Sequence, residues 1–119
     1  MKKILYIEDN IDTANAVKII LKKEGFEIET ANNGKTGIET ASKKDFDLFL
    51  LDVMLPDMSG WDIFTKLRNK KKSKFAFLSA IPVSGERFKE LKKTGISDYI
   101  TKPFIKDDLI KRVKKILSS

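Results

Sequence analysis

Short apolar runs alternate along this chain with longer stretches in which apolar residues recur at helical spacing. Lys3–Ile7 is a short run of strand-forming residues that ends at Glu8-Asp9. Residues 12–23 carry Ala14, Val17, Ile20 and Leu21 at the spacing of one helix face. Asp12 or Asn10 suits the cap of that helix, and Gly25 stands where it stops. Residues 26–31 alternate with period two, as a strand with one wet face does. Asn32-Asn33-Gly34 is a turn, and residues 36–43 predict a short helix through Ile38 and Ala41.

The second half of the chain repeats the pattern. Four consecutive apolar residues, Leu48 to Leu51, predict a strand buried on both faces. Asp52 closes that run, and a loop with Pro56 and Gly60 follows. Trp61, Ile63, Phe64 and Leu67 then mark an amphipathic helix that ends in lysines, favourable at a helix C-terminus. Residues 75–78 form another apolar run, closed by Ser79-Ala80. A loop with Pro82 and Gly85 leads to a helix containing Phe88 and Leu91, which Gly95 stops. Residues 98–101 are a brief strand closed by Lys102-Pro103, and Leu109, Ile110, Val113, Ile116 and Leu117 line a last helix. Strand and helix alternate five times, which predicts an α/β fold: a doubly wound parallel sheet with helices on both faces.

Composition narrows the chemistry. At 119 residues, 41% apolar and 34% charged, the chain predicts one globular domain spanning 1–119, with a core that needs no metal or disulfide. No apolar stretch approaches membrane-spanning length and no signal-peptide pattern opens the chain, so no membrane insertion and a cytoplasmic location are expected. The absence of cysteine removes disulfides, thiol nucleophiles and thiolate metal sites. The absence of histidine removes Ser-His and Cys-His triads, so any phosphohistidine must come from a partner. The net charge of +7 is concentrated in Lys66, Arg68, Lys70, Lys71, Lys72 and Lys74, and in Lys111, Arg112, Lys114 and Lys115. Such clusters can mark a nucleic-acid surface. Without interleaved aromatics or a Gly-rich arm, the first reads better as a solvated helix end, and no direct nucleic-acid contact is expected.

Four of the five predicted strands end in a polar residue with a chemical use: Glu8-Asp9, Asp52, Ser79 and Lys102. Taken singly, each has a bland explanation. Asp52 can cap a turn, Glu8-Asp9 can start a helix, Ser79 can be an ordinary serine and Lys102 a solvated lysine. In a parallel sheet, however, these ends lie along one edge, where α/β proteins bind ligands. Close carboxylates repel unless a cation sits among them. With oxygen ligands only, that ion is hard: Mg²⁺, or Mn²⁺ or Ca²⁺ in its place. A lysine and a hydroxyl beside it suit phosphate.

On these residues the chain resembles the receiver domain of two-component response regulators, including the single-domain chemotaxis type. The resemblance covers essentially the whole chain. It rests on Glu8-Asp9, on Asp52 with Pro56 and Gly60, on Ser79-Ala80, and on Tyr99-Ile100-Thr101-Lys102-Pro103-Phe104, in order and at matching separations. It implies a flavodoxin-like sheet of order 2-1-3-4-5 with five helices. It implies that Asp52 takes a phosphoryl group from the histidine of a sensor histidine kinase or a histidine phosphotransfer protein, becoming an aspartyl phosphate. Asp9 would hold Mg²⁺ directly, Glu8 through water, and the Met54 carbonyl would be a further ligand. Lys102 would contact the phosphoryl oxygens, Ser79 would move to bond the new group, and Tyr99 would turn inward. The Lys102-Pro103 bond is expected to be cis. A downstream protein would bind the face made by strand 4, helix 4, strand 5 and helix 5.

The resemblance thus implies a signalling receiver that takes part in its own phosphotransfer. Two other readings compete: an aspartate-nucleophile phosphatase, which usually has a second Asp where this chain has Met54, and a nucleic-acid-binding protein. A receiver fold that switches without phosphate is opposed by the intact acidic pair, Asp52 and Lys102. No output domain follows the last helix in this sequence, so a stand-alone receiver and a piece of a longer regulator are both open. The sequence also departs from the usual pattern. The first acidic pair is Glu-Asp where many members have Asp-Asp. The stretch between Asp52 and Ser79 is a few residues short, so the third helix or its exit loop is expected to be trimmed. Pro82 would stiffen the loop meant to move. Apolar Met54 and Ile81 flank the path of hydrolytic water, which predicts slow self-dephosphorylation.

Overall fold

A computed structural model describes residues 1–69 and 72–118. Lys70 and Lys71 of the first basic cluster, and Ser119, lie outside the described residues. The elements run β1 (Lys3–Ile7), α1 (Ile11–Lys23), β2 (Glu27–Ala31), α2 (Gly34–Lys43), β3 (Leu48–Leu51), α3 (Gly60–Leu67), β4 (Lys74–Ser79), α4 (Gly85–Thr94), β5 (Ile96–Thr101) and α5 (Lys106–Ser118). The five strands are parallel, in the order β2-β1-β3-β4-β5. The chain leaves β1 in one direction for β2 and returns to the other side for β3. The two outgoing connections part there, which opens a crevice at the carboxyl edge.

Strand chemistry follows strand position. β3 lies between β1 and β4, and all four of its residues are buried. β2 is an edge strand and keeps the mixed pattern expected of one. Alternate residues feed two cores. Leu5, Ile7, Phe49, Leu51, Phe75 and Phe77 join Ala41, Ile63, Phe64 and Leu91 of α2, α3 and α4. Ile4, Tyr6, Leu48, Leu50, Ala76 and Leu78 join Val17, Leu21, Leu109, Val113 and Ile116 of α1 and α5. The first core is aromatic: the Phe49 and Phe75 rings stack at 5.1 Å, and Phe64 meets Phe75 edge-on at 5.1 Å.

Local signals set the helix ends. Asn10 caps α1, its side chain accepting from the Thr13 N–H at 2.9 Å, so Asp12 lies inside the first turn. Asn33 caps α2, which therefore starts at Gly34, two residues before the expected Thr36. Ser59 and Asp62 form a reciprocal capping box on α3. At eight residues α3 is the shortest of the five helices. Gly95 ends α4 with φ of 114°, a conformation that favours glycine. β5 begins directly afterwards at Ile96, earlier than the expected residue 98. Ile96 pairs with Phe75, and a register shift between Phe75 and Ala76 takes up the slack.

Leu50 is fully buried against the α1 and α5 layer. Leu50→Ala should cost about 2–5 kcal/mol of folding free energy. Urea unfolding measures this, and an unchanged midpoint would contradict the packing described.

Candidate metal site at the sheet edge

The ladder continues beyond the strands and sets each site residue in place. Glu8 N–H donates to Ala31 O at 2.9 Å, Asp52 N–H to Ile7 O at 3.1 Å, and Lys102 N–H to Ser79 O at 2.8 Å. Residues distant in sequence are thereby brought to one edge. The carboxylates of Glu8, Asp9 and Asp52 each offer an oxygen, and these oxygens lie within 4.8 Å of one another. Glu8 and Asp52 are buried, whereas Asp9 is exposed.

Lys102 reaches into this cluster. Its ammonium donates to Glu8 Oε1 and, at 3.2 Å, to Asp52 Oδ2. Asp52 Oδ1 accepts from the Met54 N–H at 3.2 Å. Glu8 is the most fully satisfied carboxylate: Oε1 also accepts from the Tyr6 hydroxyl at 2.9 Å, and Oε2 from the Asn10 N–H at 3.0 Å. The Lys102–Pro103 peptide bond is cis.

The two buried carboxyls are pulled apart in acidity. Burial pushes Glu8 up, but the Lys102 ammonium, the Asn10 N–H and the Tyr6 hydroxyl outweigh it and hold its carboxyl below the ordinary value. Burial also pushes Asp52 up, and the adjacent Glu8 charge adds to it. Lys102 and the Met54 N–H only partly oppose them, so Asp52 stays above the ordinary value. Burial works against the Lys102 charge, yet Glu8 and Asp52 overcome it and raise its pKa. Burial, followed by the Glu8 charge, pushes Tyr6 far up, so its hydroxyl remains a donor. Three carboxylates face one ammonium, and the cluster carries an excess of negative charge. All donors are oxygens. A hard divalent cation fits both facts.

Two loops frame the cluster. The loop after Asp52 folds back on itself: Gly60 N–H donates to Val53 O at 2.8 Å, and Met54 bridges to Ser59. A Cβ at Gly60 would run into the Asp52 carbonyl, which explains a glycine there. At the tip of the loop, the Asp57 carboxylate accepts from Gly34 N–H and Lys35 N–H, both at 2.8 Å, tying the loop to the start of α2. On the other side, Ser79 is buried and its Oγ accepts from Ile81 N–H at 3.3 Å. The Tyr99 hydroxyl donates to the Ile81 carbonyl. Tyr99 is only 8% exposed, so it already lies inward. Met54 and Ile81 expose their apolar side chains, at 67% and 38%.

The structure therefore gathers Glu8, Asp9, Asp52 and Lys102 into direct proximity, and places Ser79 and Tyr99 around Ile81. Tyr6, Asp57 and the Asn10 N–H also support the site, and in the sequence none of them stands out as a site residue. For Tyr6 a signal existed: residues two apart on a strand share a face, so a phenol at position 6 lies below the acid at position 8.

A five-stranded sheet of this order, with this acidic cluster, serine and lysine at its carboxyl edge, defines a receiver domain of two-component systems. The chain belongs to the response regulator receiver domain family, whose pattern matches residues 4–114. It is 40% identical over 116 residues to the probable transcriptional regulatory protein SilR of Salmonella typhimurium, covering 97% of this chain and 50% of that protein. It is 38% identical over 116 residues to the cell cycle response regulator CtrA of Brucella ovis, with 97% and 50% covered. The chain thus spans half the length of these two regulators. Among solved structures it is similar to the response regulator TrrA of Thermotoga maritima in complex with Mg²⁺-BeF, with 33% identity and a TM-score of 0.84, covering 98% of this chain and 100% of that one. It is also similar to the chemotaxis protein CheY4 of Vibrio cholerae, with 30% identity and a TM-score of 0.88, covering 98% and 99%. Among the described residues no helix is long and apolar enough to cross a membrane.

The raised pKa of Asp52 has a consequence of definite sign for stability. A carboxyl whose folded pKa lies above its unfolded value costs stability as pH rises through the interval between the two. In metal-free solution, Asp52→Asn should therefore gain stability relative to the wild type as pH rises through and above the ordinary carboxyl range, about 4. Thermal unfolding across that range tests it, and a wild type that gains on the variant would contradict the charge balance described.

Proposed function

We propose that this receiver domain is a phosphorylation switch with Asp52 as its phosphoacceptor. The observation that carries the reading is the position of the Asp52 carboxylate: at a strand end, in a cluster with Glu8 and Asp9, and hydrogen-bonded to Lys102. Membership of the family implies a phosphohistidine donor on a sensor histidine kinase or a histidine phosphotransfer protein, and the absence of histidine from this chain agrees with a donor on a partner. A carboxylate oxygen of Asp52 attacks phosphorus, and a new P–O bond forms as the P–N bond breaks. The electron pair returns to the donor's imidazole, which takes up a proton, and Asp52 becomes an acyl phosphate.

Glu8, Asp9, Asp52 and the Met54 carbonyl would hold Mg²⁺, with Mn²⁺ or Ca²⁺ as substitutes. When bound, such an ion offsets charge on the phosphoryl oxygens. The chain's own residues do the positioning. Lys102 shifts its ammonium from Asp52 to the phosphoryl group and keeps Glu8 as its second partner. Ser79 gives up the Ile81 N–H and donates its hydroxyl to the new group.

Tyr99 already lies inward, so we place the switching movement in the loop after Ser79. Ile81 is that loop's anchor, held through its N–H by Ser79 and through its carbonyl by Tyr99. Pro82 limits how far the loop can travel. The Tyr99 carbonyl accepts from Arg112 at 3.2 Å, which links the loop to α5. The α4-β5-α5 face carries a cavity of about 590 Å³ lined by Lys92, Lys111, Arg112 and Lys115. Arg112 is paired with Asp98 and Asp108, whereas no acidic partner is seen for Lys92, Lys111 or Lys115 among the described residues. This basic face suits an acidic surface on the downstream protein or output domain that the switch controls.

The deciding experiment is labelling with a small phosphodonor in the presence of Mg²⁺, read by intact mass. One phosphoryl adduct is expected on the wild type and none on Asp52→Asn. The absence of an adduct on the wild type with any donor would end this reading.

The phosphorylated form should lose its label slowly, because the exposed Met54 and Ile81 side chains offer an incoming water no hydrogen bond. Met54→Asn should speed the loss by supplying one. Rapid loss from the wild type at a rate that Met54→Asn leaves unchanged would contradict this.

A further inference from the structure

Tyr6 is a buried phenol to which the phosphoacceptor chemistry assigns no task. It is the fourth of the five residues of β1, where an aliphatic residue would fill the same core, and is fully buried. A buried tyrosine requires a partner for its hydroxyl, and that partner is Glu8 Oε1 at 2.9 Å. The geometry follows from the strand, since Tyr6 and Glu8 point to the same side of the sheet.

Glu8 accepts from three donors of unequal rigidity. Lys102 comes at the end of a flexible four-carbon chain. The Asn10 N–H is fixed by the start of α1 and holds Oε2. The Tyr6 ring is packed with Ile4, Val17, Leu48 and Leu50 in the α1–α5 core, so its hydroxyl cannot leave without opening that core. Tyr6 and Asn10 together hold both carboxylate oxygens and fix the orientation of Glu8. That orientation decides where Lys102 stands and which way Glu8 presents its charge to Asp9 and Asp52.

We propose that Tyr6 is a positioning residue for the divalent-cation site, acting only through Glu8. The proposal rests on the reading that Glu8, Asp9 and Asp52 hold such a cation. Hydrogen-bond partners behind a ligating carboxylate typically affect metal affinity by about 10–100-fold.

The test is Mg²⁺ binding by titration calorimetry, with no phosphodonor present, on the wild type, Tyr6→Phe, Glu8→Ala and the double variant. Tyr6→Phe keeps the ring and removes only the hydroxyl. It should weaken Mg²⁺ binding about 10-fold. In the Glu8→Ala background, where no carboxylate remains to be aimed, the same change should alter affinity by less than about 2-fold. Equal affinity in wild type and Tyr6→Phe overturns the proposal, as does the same loss in both backgrounds. A wild type that binds no Mg²⁺ overturns instead the cation reading beneath it. If Tyr6→Phe fails to fold by circular dichroism, the wild type still decides. Its buried Tyr6 hydroxyl proton should shift in the NMR spectrum on saturation with Mg²⁺, and an unmoved resonance counts against the role.

Discussion

Everything at the carboxyl edge depends on one ammonium shared between two buried carboxylates. Lys102 bonds Glu8 and Asp52 together, with Asp9 close by at the solvent side. One cation cannot balance three anions, and the shortfall falls unevenly. Glu8, with three donors, is held firmly ionised, while Asp52 keeps part of its burial penalty and the repulsion of its neighbour. The uneven sharing separates two electrostatic environments: Glu8 is a fixed counter-charge to Lys102, and Asp52 is the less stabilised carboxylate.

That imbalance is held open by the backbone. The ladder bonds past the ends of β1, β3 and β5 set Glu8, Asp52 and Lys102 in register, so the carboxylates cannot drift apart to relieve their repulsion. The loop after Asp52 is closed by the Gly60 bond and anchored on α2 through Asp57. The loop after Ser79 is held at Ile81 by the hydroxyls of Ser79 and Tyr99. Tyr99 joins that loop to α5, touching Ile81 through its hydroxyl and Arg112 through its carbonyl.

Much of this was legible before any coordinates. The apolar runs and helical periodicities locate ten elements, because burial on one or two faces imposes those patterns on any sequence that folds this way. The polar residues closing the strands identify the edge and its chemistry, because a parallel sheet places all such ends together. Boundaries shifted where a side chain beyond the local window intervened. α2 starts at Gly34 because Asn33 caps it and Asp57, far along the chain, receives its first N–H groups. β5 starts at Ile96 because a register shift lets it pair with Phe75.

By itself, then, the sequence determined the layered α/β architecture, the membership of the acidic cluster and the absence of any histidine or cysteine from its chemistry, since these follow from residue type and order. Only the tertiary structure decided how charge is divided within the cluster, that Tyr6 and Asn10 take part in it, and that Tyr99 already lies inward. Those outcomes depend on distances of a few ångströms between groups on different elements. Residue order specifies such distances only through the packing of the whole chain.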